Sequence, residues 1–127
     1  MGKIAISTNK APNPVGNYSQ AVSSKDFIFI SGQIGIIPDS GKLCSQDFKE
    51  QLNQVFLNIS AICASCGCTL DDIVKMTVYL TDLTTTQILN KSIEEFFCQP
   101  YPARAVVGAS NLPLGSLVEI ETIVEKK

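Results

Sequence analysis

The segment from Asp47 to Cys66 constrains the fold more than any other. Phe48, Leu52, Val55, Phe56, Ile59, Ile62, Cys63 and Cys66 recur there at helical spacing and form one continuous apolar stripe. A stripe of that length must be buried, so the rest of the chain has to supply an apolar surface for a long helix to lie on. Asp47 followed by Glu50 has the form of a capping box, and Gly67 is a natural stop after the last periodic residue.

Strand-like segments supply that surface. Lys3 to Thr8 reads as a short strand, followed by a turn-rich loop from Ala11 to Gly16 in which Pro12 and Pro14 fix φ. Tyr18 to Val22 and Asp26 to Gln33 read as a hairpin joined by Ser23-Ser24-Lys25, with Phe27-Ile28-Phe29-Ile30 supplying β-favouring side chains. Ile73 to Leu80 alternates, with Val74, Met76, Val78 and Leu80 on one face and Lys75, Thr77 and Tyr79 on the other. A second helix is predicted from Thr84 to Phe97, started by Thr84 with Gln87 three residues on. It is buried through Ile88, Ile93, Phe96 and Phe97 and ends before Pro100. Ala103 to Val107 and Leu117 to Val124 complete the set, separated by a loop with Pro113 and Gly115.

This order predicts an α+β fold: one domain over residues 1–127, with a mixed six-stranded sheet and two helices on one face, since strand–helix–strand passages cross over right-handedly. The other face is left uncovered. It carries Thr77, Tyr79, Glu119 and Glu121 together with one of the pairs Phe27/Phe29 or Ile28/Ile30, which suits solvent or a second subunit. Self-association is expected.

Composition narrows the function. With 45% hydrophobic and 17% charged residues the chain is built to fold, and its net charge of −2 argues against nucleic acid and anionic membranes as partners. No apolar run is long enough to span a membrane, and Met1 to Lys10 lacks the pattern of a targeting segment. A cytoplasmic location is therefore expected, with mitochondria or another organelle as the alternative. The sequence holds no histidine, which removes the triads and metal sites built on imidazole. Five cysteines, an odd number, speak for reduced thiols, and Cys63, Cys66 and Cys68 read as packing rather than as a metal or redox site. Ser31-Gly32-Gln33-Ile34-Gly35 lacks the helix start and lysine of a phosphate loop, so Gly32 reads as a strand end that another group approaches closely.

Arg104 stands out, because a guanidinium among Ala103, Ala105, Val106 and Val107 must find an anion or reach solvent. Two readings are open: an internal ion pair with Glu119 or Glu121, or a bidentate clamp for a ligand carboxylate.

Four blocks resemble the YjgF/RidA family of reactive-intermediate deaminases, also called the endoribonuclease L-PSP family. They are Pro12 with Val15 to Ala21, Phe29 to Gln33, Tyr101 to Arg104, and Val118 to Glu121, in the family's order and spacing. The resemblance covers almost the whole chain. It implies a chorismate-mutase-like fold, a homotrimer with sites in the clefts between subunits, and cofactor-free hydrolysis of imines and enamines such as 2-iminopropionate and 2-aminoacrylate to 2-oxo acids and ammonia. It also implies that Arg104 binds the substrate carboxylate and that Glu119 activates the attacking water. Tyr18 and Asn90 would line the cleft, and Ser31 and Gly32 would contact the ligand. Val106 stands where some relatives have a cysteine, so no thiol chemistry is carried over to that position. A carboxylate-binding or chaperone-like trimer without turnover, and a translation-inhibiting endoribonuclease, are the alternatives the resemblance leaves.

Overall fold

The computed structural model describes residues 2–127. The helix that dominates the sequence is α1, Phe48–Ala64, and the Asp47 side chain caps it by accepting from the Glu50 amide at 3.0 Å. The reciprocal half of the capping box is absent, because the Asp47 amide donates to Ser45 Oγ instead, at 2.9 Å. Gly67 turns the chain away with φ of 74°, a conformation that costs glycine nothing. Leu52, Val55, Phe56, Ile59 and Ile62 are fully buried, each contributing about 1.5–3 kcal/mol of transfer free energy.

The surface beneath α1 is a six-stranded sheet in the order β1-β2-β3-β8-β6-β7. Its strands are β1 (Ile4–Ile6), β2 (Ala21–Ser24), β3 (Phe27–Gln33), β6 (Ile73–Leu80), β7 (Ala103–Gly108) and β8 (Val118–Glu125). Two short strands outside it, β4 (Ile36–Ile37) and β5 (Lys42–Leu43), pair with each other. They were not anticipated, since two-residue strands carry no period. All pairings in the large sheet are antiparallel except β6 with β7. Helix α2, Thr86–Phe96, packs beside α1 on the same face, where Phe56 meets Phe96 and Phe97 at centroid distances of 5.0 and 5.3 Å. Among the described residues no helix is long and apolar enough to cross a membrane.

The register decides which side chains face the helices. Ile28 and Ile30 are buried while Phe27 and Phe29 are 37% and 43% exposed, so the phenylalanine pair belongs to the uncovered face. Strand β6 departs from simple alternation at a bulge: Ile73 pairs with Val124 and Lys75 with Ile123, leaving Val74 extra. Val74 is consequently exposed and Ile73 takes the core position, contrary to the alternation read from sequence.

Helix α2 also begins later than its sequence suggests. Asp82, not Thr84, supplies the cap, accepting from the Thr84 amide at 2.9 Å and closing a single turn, Leu83–Thr85, ahead of the helix. With that start the buried positions are Leu89, Ser92 and Ile93, and Ile88 is turned outward.

Buried amides then fix the loops around the sheet. Gln51 on α1 accepts from the Leu117 amide at 2.8 Å and so holds the entry to β8, while Asn58 donates to the carbonyls of Ile34 and Ile36. Gly35 crosses α1 so closely that a Cβ there would lie 2.9 Å from the Gln51 backbone. Gln20 donates to the carbonyls of Thr8, Ala11 and Pro12 and accepts from the Thr8 amide, tying the proline-rich loop to the sheet edge.

Candidate functional site

Strand β8 alternates: Val118 and Ile120 point into the core, so Glu119 and Glu121 point to the face without helices. Glu119 pairs with Tyr79 and Glu121 with Thr77 across β6, and the Tyr79 hydroxyl donates to Glu121 Oε1 at 3.2 Å. Next to β8, strand β3 carries a bulge: Ile30 pairs with Thr122 and Gln33 with Ile120, which sets Ser31 and Gly32 together opposite Glu121. Ser31 is anchored by its hydroxyl, which donates to the Ser19 carbonyl at 2.6 Å, and by its amide, which donates to the Gln20 carbonyl at 2.9 Å.

Gly32 has a specific reason to be glycine. The Glu119 carboxylate lies over its Cα, and a Cβ built there would come within 2.9 Å of the carboxyl carbon and closer still to Oε2. The close approach read from the sequence is therefore made by a side chain of the same chain. Half-buried beside Glu121, the Glu119 carboxyl is pushed above the usual glutamate value, first by desolvation and then by the neighbouring charge. It lines a cavity of about 790 Å³ together with Tyr18, Ser31, Gly32 and the loop residues Pro113 and Leu114. Tyr18 lies in the loop ahead of β2 rather than on a strand, with its hydroxyl accepting from the Val15 amide at 3.5 Å.

Arg104 lies elsewhere. On β7 it pairs with Met76, whose side chain is buried on the helix side, so Arg104 points toward the helices. There its Nη1 donates to Asn90 Oδ1 on α2 at 2.6 Å. The two line a notch of about 360 Å³ at the outer edge of the sheet with Tyr101, Pro102 and Glu94. Strand β6 separates β7 from β8, and the partners of Arg104 and Glu119 on it, Met76 and Tyr79, are three positions apart. The two α-carbons therefore stand roughly 14 Å apart, on side chains aimed at opposite faces.

Two consequences follow. The internal ion pair is excluded, since among the described residues the salt bridges are those of Lys49 with Glu95 and Lys127 with Asp72. And one chain brings the expected site residues together as two groups rather than one: Glu119, Tyr18, Ser31 and Gly32 on one face, Arg104 and Asn90 on the other. The first group can hold and activate a water, and the second can grip a planar anion with its guanidinium fork.

Sequence reading passed over Gln20, Gln51 and Asn58 as organisers of the cavity walls. A buried amide between apolar residues is the signal that could have found them. Cys63, Cys66 and Cys68 lie at the far end of α1, where Cys63 and Cys68 are buried. Burial pushes the Cys63 thiol up to about 12, which keeps it protonated and unreactive. Among the described residues no group of three or more His, Cys, Asp or Glu could hold a metal ion.

Replacing Gly32 by alanine tests the Glu119 geometry. The colliding atoms are the end of a flexible side chain, so the fold is expected to survive while the carboxylate is displaced. A shift of about 1 Å in a catalytic group costs on the order of 10²-fold in rate. Steady-state kinetics beside a thermal melt separates the two effects.

Comparison with known proteins bears on this arrangement. The profile of the family described as Endoribonuclease L-PSP matches residues 8–126. The chain is 45% identical to a RutC family protein of Pyrococcus abyssi over 127 residues, covering 100% of both. It is 42% identical to the human 2-iminobutanoate/2-iminopropanoate deaminase, over 93% of this chain and 86% of that protein. Among solved structures, RidA from the Antarctic bacterium Psychrobacter superposes with a TM-score of 0.93 at 47% identity, covering 96% of this chain and 98% of that one.

Proposed function

Because the chain belongs to the Endoribonuclease L-PSP family, in which its relatives include RidA and RutC proteins, we propose that it hydrolyses reactive 2-imino acids, and their enamine tautomers, to 2-oxo acids and ammonia. The observation that carries the reading is the Glu119 carboxylate laid over Gly32 at the wall of an open cavity, with its pKa displaced upward. A raised carboxylate is a better base near neutrality than an ordinary one.

The chemistry needs little else. An iminium carbon is already electrophilic, so the protein has to place water and substrate and move protons. Glu119 takes a proton from water as the oxygen attacks the imine carbon, then hands it to the nitrogen of the tetrahedral intermediate. It takes the hydroxyl proton as the C–N bond breaks and the carbonyl forms, and passes that proton to the departing ammonia, which leaves as ammonium and restores the carboxylate. Arg104, oriented by Asn90, holds the substrate carboxylate, and the backbone of Ser31 and Gly32 and the ring of Tyr18 border the reacting carbon.

Since Arg104 and Glu119 of one chain face apart, a complete site on this reading takes Arg104 and Asn90 from one copy and Glu119 and its neighbours from the next. A homotrimer closes that head-to-tail relation with three equivalent sites. The uncovered sheet face, with Phe27 and Phe29 half exposed, is the natural contact. Cleavage of RNA is disfavoured by Glu119 and Glu121, which repel a phosphodiester from the same cavity.

The test follows 2-iminopropionate generated in the assay from alanine by an amino-acid oxidase. Decay faster than buffer alone supports the reading, and decay equal to buffer ends it. The pH profile adds a second check. The acid limb of kcat/KM is expected at a midpoint above the ordinary glutamate value, because Glu119 must lose its proton to act and burial holds that proton on.

A further inference from the structure

Leu114 adopts φ of 58° and ψ of 23°, a left-handed conformation that glycine or asparagine takes readily and leucine does not. Nothing in its burial repays this, since the side chain is 66% exposed. Gly115, also at positive φ, follows it, and the pair holds Leu114 out over the Glu119 cavity. Val15 lines the same cavity, 93% exposed on a loop whose root is fastened by Gln20 and whose tip is closed by the Tyr18 amide donating to the Gly16 carbonyl. Pro12, Ile34, Ile36 and Pro113 add to the apolar wall. An apolar residue held exposed in a strained conformation is the kind of outlier that accompanies ligand contact.

We propose that this rim is a subsite for the aliphatic side chain of the substrate, with Val15 and Leu114 as specificity-determining residues. The imine carbon lies at Glu119, so the side chain of the imino acid extends from there into the apolar part of the cavity. Beyond Glu119 the lining that this chain contributes is apolar, with Val15, Ile34, Ile36 and Leu114 beside Pro12 and Pro113. The favoured substrates are then imino acids with unbranched or singly branched hydrocarbon side chains of several carbons. The proposal rests on the imine-hydrolase reading for the position of the reacting carbon, but its binding consequence does not need turnover.

The experiment measures the affinity of the 2-oxo acid products from 2-oxopropanoate to 2-oxohexanoate by calorimetry, beside turnover of 2-iminopropionate. Each added methylene is expected to tighten Kd by about four-fold, the value of one buried methylene. In the double variant Val15→Ser, Leu114→Asn the series is expected to flatten. Asparagine accepts positive φ and Val15 is almost wholly exposed, so the melting temperature is expected to hold. Ile4→Ser, an exposed apolar position away from the cavity, is expected to keep the gradient. A flat series in the wild-type protein, a gradient unchanged in the double variant, or dissociation of the oligomer by that variant would each overturn the subsite. Absence of turnover with the gradient intact would instead count against the hydrolase reading alone.

Discussion

Arg104→Ala is expected to lower kcat/KM for 2-iminopropionate by about 10²- to 10⁴-fold. The guanidinium can give a carboxylate two parallel charge-assisted hydrogen bonds, each contributing about 1.5–3 kcal/mol, and water replaces them poorly. The loss is expected chiefly in KM, since the carboxylate is gripped equally in substrate and transition state. Stability should change little. Arg104 is exposed on the edge strand β7, its partner Asn90 is itself exposed, and no buried charge is left behind. A surface change of this kind shifts the melting temperature by about 2 °C or less. Arg104→Lys separates charge from geometry: lysine keeps the former, loses the fork, and should recover part of the affinity only.

For Glu119→Gln the expected loss is in kcat, about 10²- to 10⁴-fold, the range for removing a general base. Glutamine still accepts and donates hydrogen bonds, so it can hold the water without taking its proton, and KM should move little. The variant also carries a stability signature. Because the folded pKa of Glu119 is raised, its protonated form is the one the fold favours. That contribution is fully present below the unfolded glutamate pKa and is lost as pH rises through the folded one. Near neutrality, where wild-type Glu119 is charged and faces Glu121, the glutamine variant should be at least as stable as wild type. Its advantage should shrink toward acid pH. Urea unfolding of both proteins at two pH values reads the difference directly. A variant less stable at neutral pH than at acid pH, relative to wild type, would contradict the electrostatic account.

Local pattern carried much of this structure. The stripe of α1 is a strong helical signal, and the alternation of Val118, Glu119, Ile120 and Glu121 by itself places the two glutamates away from the core. Departures from period were hidden. The Val74 bulge depends on the β6–β8 register rather than on residue type, and the shift from Ile88 to Leu89 depends on the turn that Asp82 closes ahead of α2. The fate of Arg104 needed still more distant information. Its proposed ion pair with Glu119 or Glu121 assumed that β7 and β8 are neighbours, whereas β6 lies between them and turns the two side chains to opposite faces. Strand order in a mixed sheet is a non-local property, and no short window of sequence contains it.

That separation gives the hydrolase reading its sharpest consequence. If each site joins Arg104 of one copy to Glu119 of the next, two impaired variants should repair each other. Arg104→Ala and Glu119→Gln subunits, each nearly inactive alone at substrate well below KM, are unfolded together in equal amounts and refolded. A site is intact when its arginine comes from a Glu119→Gln copy and its glutamate from an Arg104→Ala copy, which random assembly in a closed ring gives in about one site in four. The mixture is expected to regain about a quarter of the wild-type kcat/KM for 2-iminopropionate. Activity no higher than that of the separate variants, in a mixture that has demonstrably exchanged subunits, would contradict a site shared between copies.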